Sequence, residues 1–208
     1  MVDRKTLTLD ELALRITREV MPGDLVAVGN GMPDAISKRL SSELPAWVID
    51  GLGSLTVTDG VGNSVDNIQG GSVHSISDVA SMMHGGHVDI AIVEAGEVTA
   101  SGDIVSLSTL GASSLSAPGW SVDLLDNSKR VIAVARHFNS NGESVLRGTC
   151  SVNPDGVGCV DMIITDIAVL EVSDNGFVLK ELATGWSIDD LTTVPGMQIE
   201  AAQSLTDI

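Results

Sequence analysis

Tyrosine is absent from the 208 residues, phenylalanine occurs twice and tryptophan three times. A chain so poor in aromatics offers few stacking surfaces for nucleobases, and its core has to be built from Val, Ile, Leu, Ala and Met. Cations are scarce as well: 11 Lys and Arg face 28 Asp and Glu, a formal net charge of −17. That balance argues against nucleic acid and anionic membranes as partners, since both require basic surfaces. It also sets a difficulty for any phosphate-bearing ligand. Either backbone N–H groups and helix N-termini meet the anion, or a partner chain supplies the Arg and Lys. Taken alone, the charge favours a plainer role in solubility, as in a saline environment. Cys150 and Cys159 are the only cysteines. Without neighbouring cysteines or a histidine pair they make no zinc site, and no metal is expected. They read as buried free thiols rather than a disulfide. No apolar run approaches the roughly 18 residues needed to cross a bilayer. Met1-Val2-Asp3-Arg4-Lys5 leads into a charged amphipathic helix, not the apolar core of a signal peptide. The expectation is a cytoplasmic protein forming a single domain over 1–208.

What is present is a succession of short apolar runs separated by glycine. Leu7, Leu9, Leu12, Leu14, Ile16 and Val20 fall at helical spacing, capped by Thr8 or Asp10 and ended by Met21-Pro22-Gly23. Leu25-Val26-Ala27-Val28 reads as a strand, Gly29-Asn30-Gly31-Met32-Pro33 as a loop, and 34–44 as a helix. Strand, glycine loop and helix in that order present free N–H groups to a ligand, although a plain tight turn needs the same residues. Trp47-Val48-Ile49-Asp50 is a second strand, and Leu55-Thr56-Val57-Thr58 a third within an irregular stretch. A helix over 75–83 ends at Gly85-Gly86. A Ser-, Gly- and Ala-rich loop at 106–121 has the length of a functional or mobile segment. Beyond it come a short helix at 121–128, a buried strand at 130–135, a strand at 167–172 and a hairpin at Asp174-Asn175-Gly176 that returns through Phe177 to Leu182. Ser187 caps a further helix, and the tail after Gly196 is extended or frayed. The alternation implies an α/β fold, an open mixed sheet covered by helices.

The segment Gly85-Gly86-His87-Val88-Asp89-Ile90-Ala91-Ile92-Val93-Glu94-Ala95-Gly96-Glu97-Val98 carries the most information. Ile90 to Val93 is continuously apolar rather than alternating, so both faces should be covered, as in a central strand. Gly96 is read as a break after it. Open α/β sheets place their ligands at the C-terminal ends of such strands.

Four segments resemble the B-type chain of 3-oxoacid CoA-transferases. Gly23-Asp24-Leu25-Val26 to Gly29-Asn30-Gly31-Met32-Pro33 is similar to Gly-X-Val-Val-Asn-Leu-Gly-Ile-Gly-Ile-Pro. The segment just quoted is similar to Arg-Gly-Gly-His-Ile-Asp, a strand, and Gly-Ala-X-Gln/Glu-Val. Gly119-Trp120-Ser121-Val122-Asp123-Leu124 is a weakened Gly-Gly-Ala-Met-Asp-Leu. Gly156 to Val169, with Ile163-Ile164-Thr165-Asp166 at its centre, is close to Thr-Gly-X-X-X-Val-X-X-Ile-Ile-Thr-Asp-Leu-Ala-Val. Order and spacing match over most of 10–192.

The resemblance implies the sheet fold shared with sugar-phosphate isomerases. It implies an A-subunit partner in a heterodimer or heterotetramer, and acyl-CoA and carboxylic acid substrates, with coenzyme A a substrate and no resident cofactor. It points to ketone body metabolism or related acyl-CoA chemistry. The family's glutamate attacks the thioester and passes through an acyl anhydride and a glutamyl-CoA thioester. Ungapped alignment sets Ile49 at that glutamate and Asp50 at the asparagine after it. Trp120 stands for the second glycine of a Gly-Gly pair, and Glu94 for a glycine at the end of the central strand. Asp50 and Glu94 are therefore the candidate catalytic carboxylates. Gly29, Asn30, Gly31, Gly51, Gly119 and Trp120 are the candidate substrate-binding positions.

A subunit that transfers CoA between carboxylates is the leading reading. The alternative is a divergent or silent subunit, with hydrolase-type chemistry or a scaffold role, because position 49 is isoleucine. A sugar-phosphate isomerase is disfavoured by the shortage of lysine. None of His74, His84, His87 and His137 is given a catalytic role, and His87 is expected to make a structural hydrogen bond.

Overall fold

A computed structural model describes residues 4–29, 31–33, 36, 39–40, 46–49, 55–57, 76–111 and 124–208. Helix α1 is Leu9–Thr17 and α2 is Ile76–His84; the strands are β1 Leu25–Val28, β2 Trp47–Ile49, β3 Leu55–Val57, β4 Ile90–Thr99, β5 Ile104–Ser106, β6 Arg130–Ala135, β7 Leu146–Arg147, β8 Met162–Thr165, β9 Ala168–Ser173, β10 Gly176–Leu182 and β11 Ile199–Asp207. The sheet runs β11-β10-β9-β8-β6-β4-β1-β2-β3, with β5 and β7 paired to β4 off this path. Strands β2, β1, β4, β6 and β8 are mutually parallel, and β3 and β9 run against their neighbours.

Each central strand feeds two cores, because successive side chains leave on opposite faces. Val26, Val28, Ile90, Ile92, Ile132, Val134, Met162 and Ile164 pack on one face with Leu12 and Ile16 of α1 and with Ile36 and Leu40. Ala27, Ile49, Ala91, Val93, Ala133, Ala135 and Ile163 pack on the other with Met83 of α2 and with Leu124 and Leu125. This double coverage is why Ile90 to Val93 is uniformly apolar. At the start of α1, Thr8 rather than Asp10 is the cap: its Oγ1 accepts the Glu11 N–H at 3.3 Å, and Glu11 Oε2 accepts the Thr8 N–H at 2.8 Å.

Three expectations are corrected, and one left with two forms is decided. Gly96 does not end the central strand. β4 runs ten residues to Thr99 and passes Gly96 in a bulge, where the register against β5 shifts between Ala95 and Glu97. Of the two forms expected for the tail, the extended one is found: β11 pairs in parallel with β10 from Phe177↔Ile199 onward. The helix after Ser187 is a single 3-10 turn, Ile188–Asp190. The two thiols are free but only half-buried.

Two aspartates of the family-like segments close the N-terminal edge of the sheet. Asp89 Oδ2 accepts the Leu25 N–H at 2.9 Å, and Asp161 Oδ2 accepts the Val131 N–H at 2.7 Å. Each satisfies a strand-end donor that water or a cap must otherwise meet.

Candidate functional site

Strand order reverses between β1 and β4: the chain leaves β1 for β2 on one side and returns to β4 on the other. Ligand crevices of open α/β sheets open at such a point, beyond the C-terminal ends of the strands. Here β1 gives way to Gly29, and the parallel pairing of β4 with β6 ends at Glu94. The Gly29 N–H donates to Ile92 O at 2.8 Å, extending the parallel pairing by one residue. The backbone then turns through Gly31 with φ +92°, a conformation costly for any residue with a Cβ. That turn aims the Met32 N–H at Glu94 Oε2, which accepts it at 3.3 Å. The Glu94 carboxylate fills the space a Gly31 side chain would need. Glu94 is half-buried and stands opposite Val134 of β6.

The same C-terminal edge continues across β6 and β8. Arg136 Nη1 donates to Asp166 Oδ2 at 3.2 Å, and the His137 N–H donates to Asp166 Oδ1 at 2.9 Å. The His137 ring is fully buried. Its Nε2 lies 2.7 Å from Leu191 O, which can only accept, so Nε2 carries a proton; Nδ1 faces Thr165 Oγ1 at 3.1 Å. Burial pulls the His137 pKa below the ordinary 6.5, against the opposing bond to Leu191 and the charge of Asp166. Thr165 Oγ1 also accepts the Ala168 N–H at 3.0 Å. The Thr165-Asp166 pair thus ties the β8–β9 turn to the end of β6.

Farther along β4, Glu97 is buried; its Oε2 accepts the Ser151 N–H at 2.7 Å, and Arg147 Nε lies 3.4 Å from Oε1. Burial raises the Cys159 thiol to about 11, and burial with Asp103, Glu97 and Asp155 raises Cys150. Neither is a poised thiolate nucleophile.

Of the residues singled out from the sequence, Gly29, Gly31 and Glu94 come together at the crevice. Asn30, Asp50, Gly51, Gly119 and Trp120 lie outside the described residues. Ile49 is wholly buried in the core beside Ala27 and Met83, with its Cα paired to Ala27. His87 is exposed against Gly85. The histidine that holds structure together is His137, to which the sequence pattern assigns no role. Arg136 is a second residue that the pattern does not single out. Its only signal is a cation one residue past a buried strand in a chain short of cations.

No family model matches the chain. It is 30% identical over 207 residues to the B-type chain of a 3-oxoadipate CoA-transferase from Pseudomonas putida, covering 94% of this chain and 97% of that one. It is 30% identical over 189 residues to the B-type chain of a succinyl-CoA:3-ketoacid coenzyme A transferase from Helicobacter pylori, covering 85% and 91%. Among solved structures, the apoenzyme of an acyl-CoA transferase, YdiF, from Escherichia coli O157:H7 superposes with a TM-score of 0.76 at 18% identity. That match takes in 100% of this chain and 44% of the other.

Proposed function

The chain belongs to the family of B-type CoA-transferase chains, and from that premise we propose that it works with an A-type partner in a cytoplasmic heteromer that moves CoA between a 3-oxoacid and another carboxylate. The observation that carries this reading is the match to a B-type relative over nearly the full length of both chains. The switch-point crevice supports it, because it offers a carboxylate held at a fixed place by the Met32 N–H.

In this reading Glu94 is the nucleophile, since the buried Ile49 cannot form an anhydride. A Glu94 oxygen attacks the thioester carbon, the C–S bond breaks, and CoA leaves as thiolate with a glutamyl anhydride formed. The thiolate then attacks the Glu94 carbonyl carbon. The first acid departs as its carboxylate, and Glu94 is left as a CoA thioester. The second acid reverses the two steps, so no net proton or electron is exchanged. Gly29, Asn30, Gly31, Gly51, Gly119 and Trp120 would line the path of the acyl and pantetheine groups. A shortage of cations in this chain leaves the CoA phosphates to backbone donors and to the A-type partner.

The test is transfer from succinyl-CoA to acetoacetate or 3-oxoadipate by the chain co-purified with an A-type partner. Glu94→Gln should lower kcat at least about 10³-fold, the scale of losing a covalent nucleophile. Mass spectrometry of enzyme held with acyl-CoA should find CoA on the peptide containing Glu94. If Asp50→Ala abolishes transfer and Glu94→Gln does not, the nucleophile is at position 50. Absence of transfer with acyl-CoA still bound would sink the transferase reading and leave a scaffold or hydrolase role.

A further inference from the structure

The outer face of α1 carries a pattern that the fold of a single chain leaves unused. Leu12, Ala13, Arg15 and Ile16 are buried against the sheet, while Asp10, Leu14 and Arg18 are exposed. Helical geometry reaches Arg18, the C-cap, at φ −68° and ψ −17°. Residues four apart on a helix are surface neighbours, so the three form one row. Leu14 is 42% exposed at its centre. Among the described residues, neither Asp10 nor Arg18 has an ion-pair partner. The carboxylates nearest Arg18 in sequence are committed elsewhere: Glu19 to Arg15 and Arg130, and Asp24 to the Met21 N–H at 2.8 Å. Lys5 is taken by Glu11 rather than by Asp10. Asp10 and Arg18 cannot serve each other, because the helix holds them about 12 Å apart along its axis.

The row reads the same from either end once charge is reversed, with the apolar residue at its middle. A two-fold axis through Leu14 that sets a second α1 antiparallel to the first brings each residue to the one equally far on the other side of Leu14. Leu14 then meets Leu14 of the copy, and each Arg18 meets an Asp10, twice over. Glu11, three residues before Leu14, comes to Thr17, three after it, so no like charges face one another. Self-complementarity of this kind is what an isologous two-fold interface requires. Both charges also suit the helix dipole, but the dipole needs neither an exposed leucine between them nor their equal spacing from it.

We propose that the Asp10-Leu14-Arg18 face of α1 is an interface with a second copy of this chain, antiparallel about a two-fold axis at Leu14. The local match works against the repulsion of two surfaces that each carry −17. Two exchanged ion pairs around an apolar contact offset it where the chains touch, and salt screens the rest. The outer face of α1 looks away from the sheet, so the pairing leaves both Glu94 crevices open. On the transferase reading, each crevice receives an A-type chain and the assembly is a heterotetramer with two copies of this chain at its centre. The pairing of α1 with α1 does not depend on that reading.

The experiment is sedimentation of the full chain over a range of concentrations in about 0.15 M salt. The wild type should dimerise. Arg18→Asp puts two carboxylates face to face, and Asp10→Arg puts two guanidinium groups face to face. Each should weaken the dimer about 10- to 100-fold, the scale of losing two surface pairs and gaining two repulsions. Mixed in equal amounts, the two variants should form a one-to-one complex, since every pair between them is again of opposite sign. The double exchange D10R/R18D should dimerise with itself. Recovery on mixing also shows that each variant is folded. Leu14→Asp should abolish pairing in every background. A monomeric wild type, single variants that dimerise like the wild type, or variants that ignore each other on mixing would each overturn the proposal. In the heteromer with an A-type partner, Leu14→Asp should halve the mass and leave CoA transfer per chain unchanged. Dimerisation through α1 without any CoA transfer by the wild type would sustain the interface and remove the transferase reading. Transfer by a heteromer whose mass is indifferent to Leu14→Asp would do the reverse.

Discussion

Gly31 sets where the Glu94 carboxylate can rest. Its φ of +92° is open to glycine and strained for alanine, and its missing Cβ is the space Glu94 Oε2 occupies. Gly31→Ala therefore has two separable effects. The backbone strain costs about 1–2 kcal/mol, which thermal unfolding of the purified chain would register as a drop of a few degrees in Tm. Displacement of the carboxylate breaks the Met32 N–H bond and moves the group from its place. Misplacing a reacting group by about 1 Å can cost 10²-fold, so CoA transfer should fall about 100-fold or more. A variant that loses stability yet transfers CoA at the wild-type rate would show that Glu94 need not sit over Gly31. Both residues were legible in the sequence, because strand, glycine and turn announce a backbone that must bend sharply. Ile49 was legible only as a departure. The structure packs this residue, which the sequence alignment set opposite a glutamate, into the core.

Elements whose pattern is local are the most legible in the sequence. Ile90 to Val93 and Val131 to Ala135 betray themselves as doubly covered strands, and the Asp174-Asn175-Gly176 turn joins β9 to β10 as expected. Elements paired by backbone across long distances are the least legible. β11 is exposed along most of its length and has no apolar face to betray it. The bulge at Gly96 resets the alternation in β4, so its second half reads as a turn. Arg136 acquires its partner Asp166 only once β6 is known to lie beside β8. The same holds for His137, which docks the end of β6 to the β8–β9 turn and to Leu191 after the 3-10 turn. Its pKa is depressed by burial, with Asp166 opposing, so the folded state binds fewer protons than the unfolded state just below the ordinary value of 6.5. Stability should then be intact above about 6.5 and fall as the pH drops below it. The carboxylate Glu19, lowered by its bonds to Arg130 and Arg15 against burial, loses its contribution only at more acidic pH, below 4.5. Tm followed from pH 7 to about 5.5 should decline in the wild type, with a shallower slope in His137→Gln, which cannot titrate. Parallel slopes would remove His137 from this window.

At the scale of the whole molecule the governing quantity is the net charge of −17. Two effects of salt compete. Screening weakens the ion pairs that join elements, and it also weakens repulsion among the unmatched carboxylates. The pairs with most to lose are the least accessible to screening. Arg15 is 7% exposed in its side chain, between Glu181 at 2.7 Å and Glu19 at 2.8 Å. The exposed pairs, Arg4–Asp190, Lys5–Glu11, Lys129–Asp89 and Lys180–Glu171, are each worth only about 0–1 kcal/mol even before screening. Repulsion instead acts over the whole surface, and the Debye length contracts from about 30 Å at 0.01 M salt to well under 10 Å at 0.5 M. Relief of repulsion should win, and Tm of the isolated chain should rise by several degrees over that range of sodium chloride. A flat or falling Tm would mean that the ion pairs carry more of the stability than their exposure implies. The rise should be smaller in the heteromer, if the A-type partner brings the cations this chain lacks. A difference in salt dependence between free and assembled chain would therefore measure how far the partner neutralises this acidic surface.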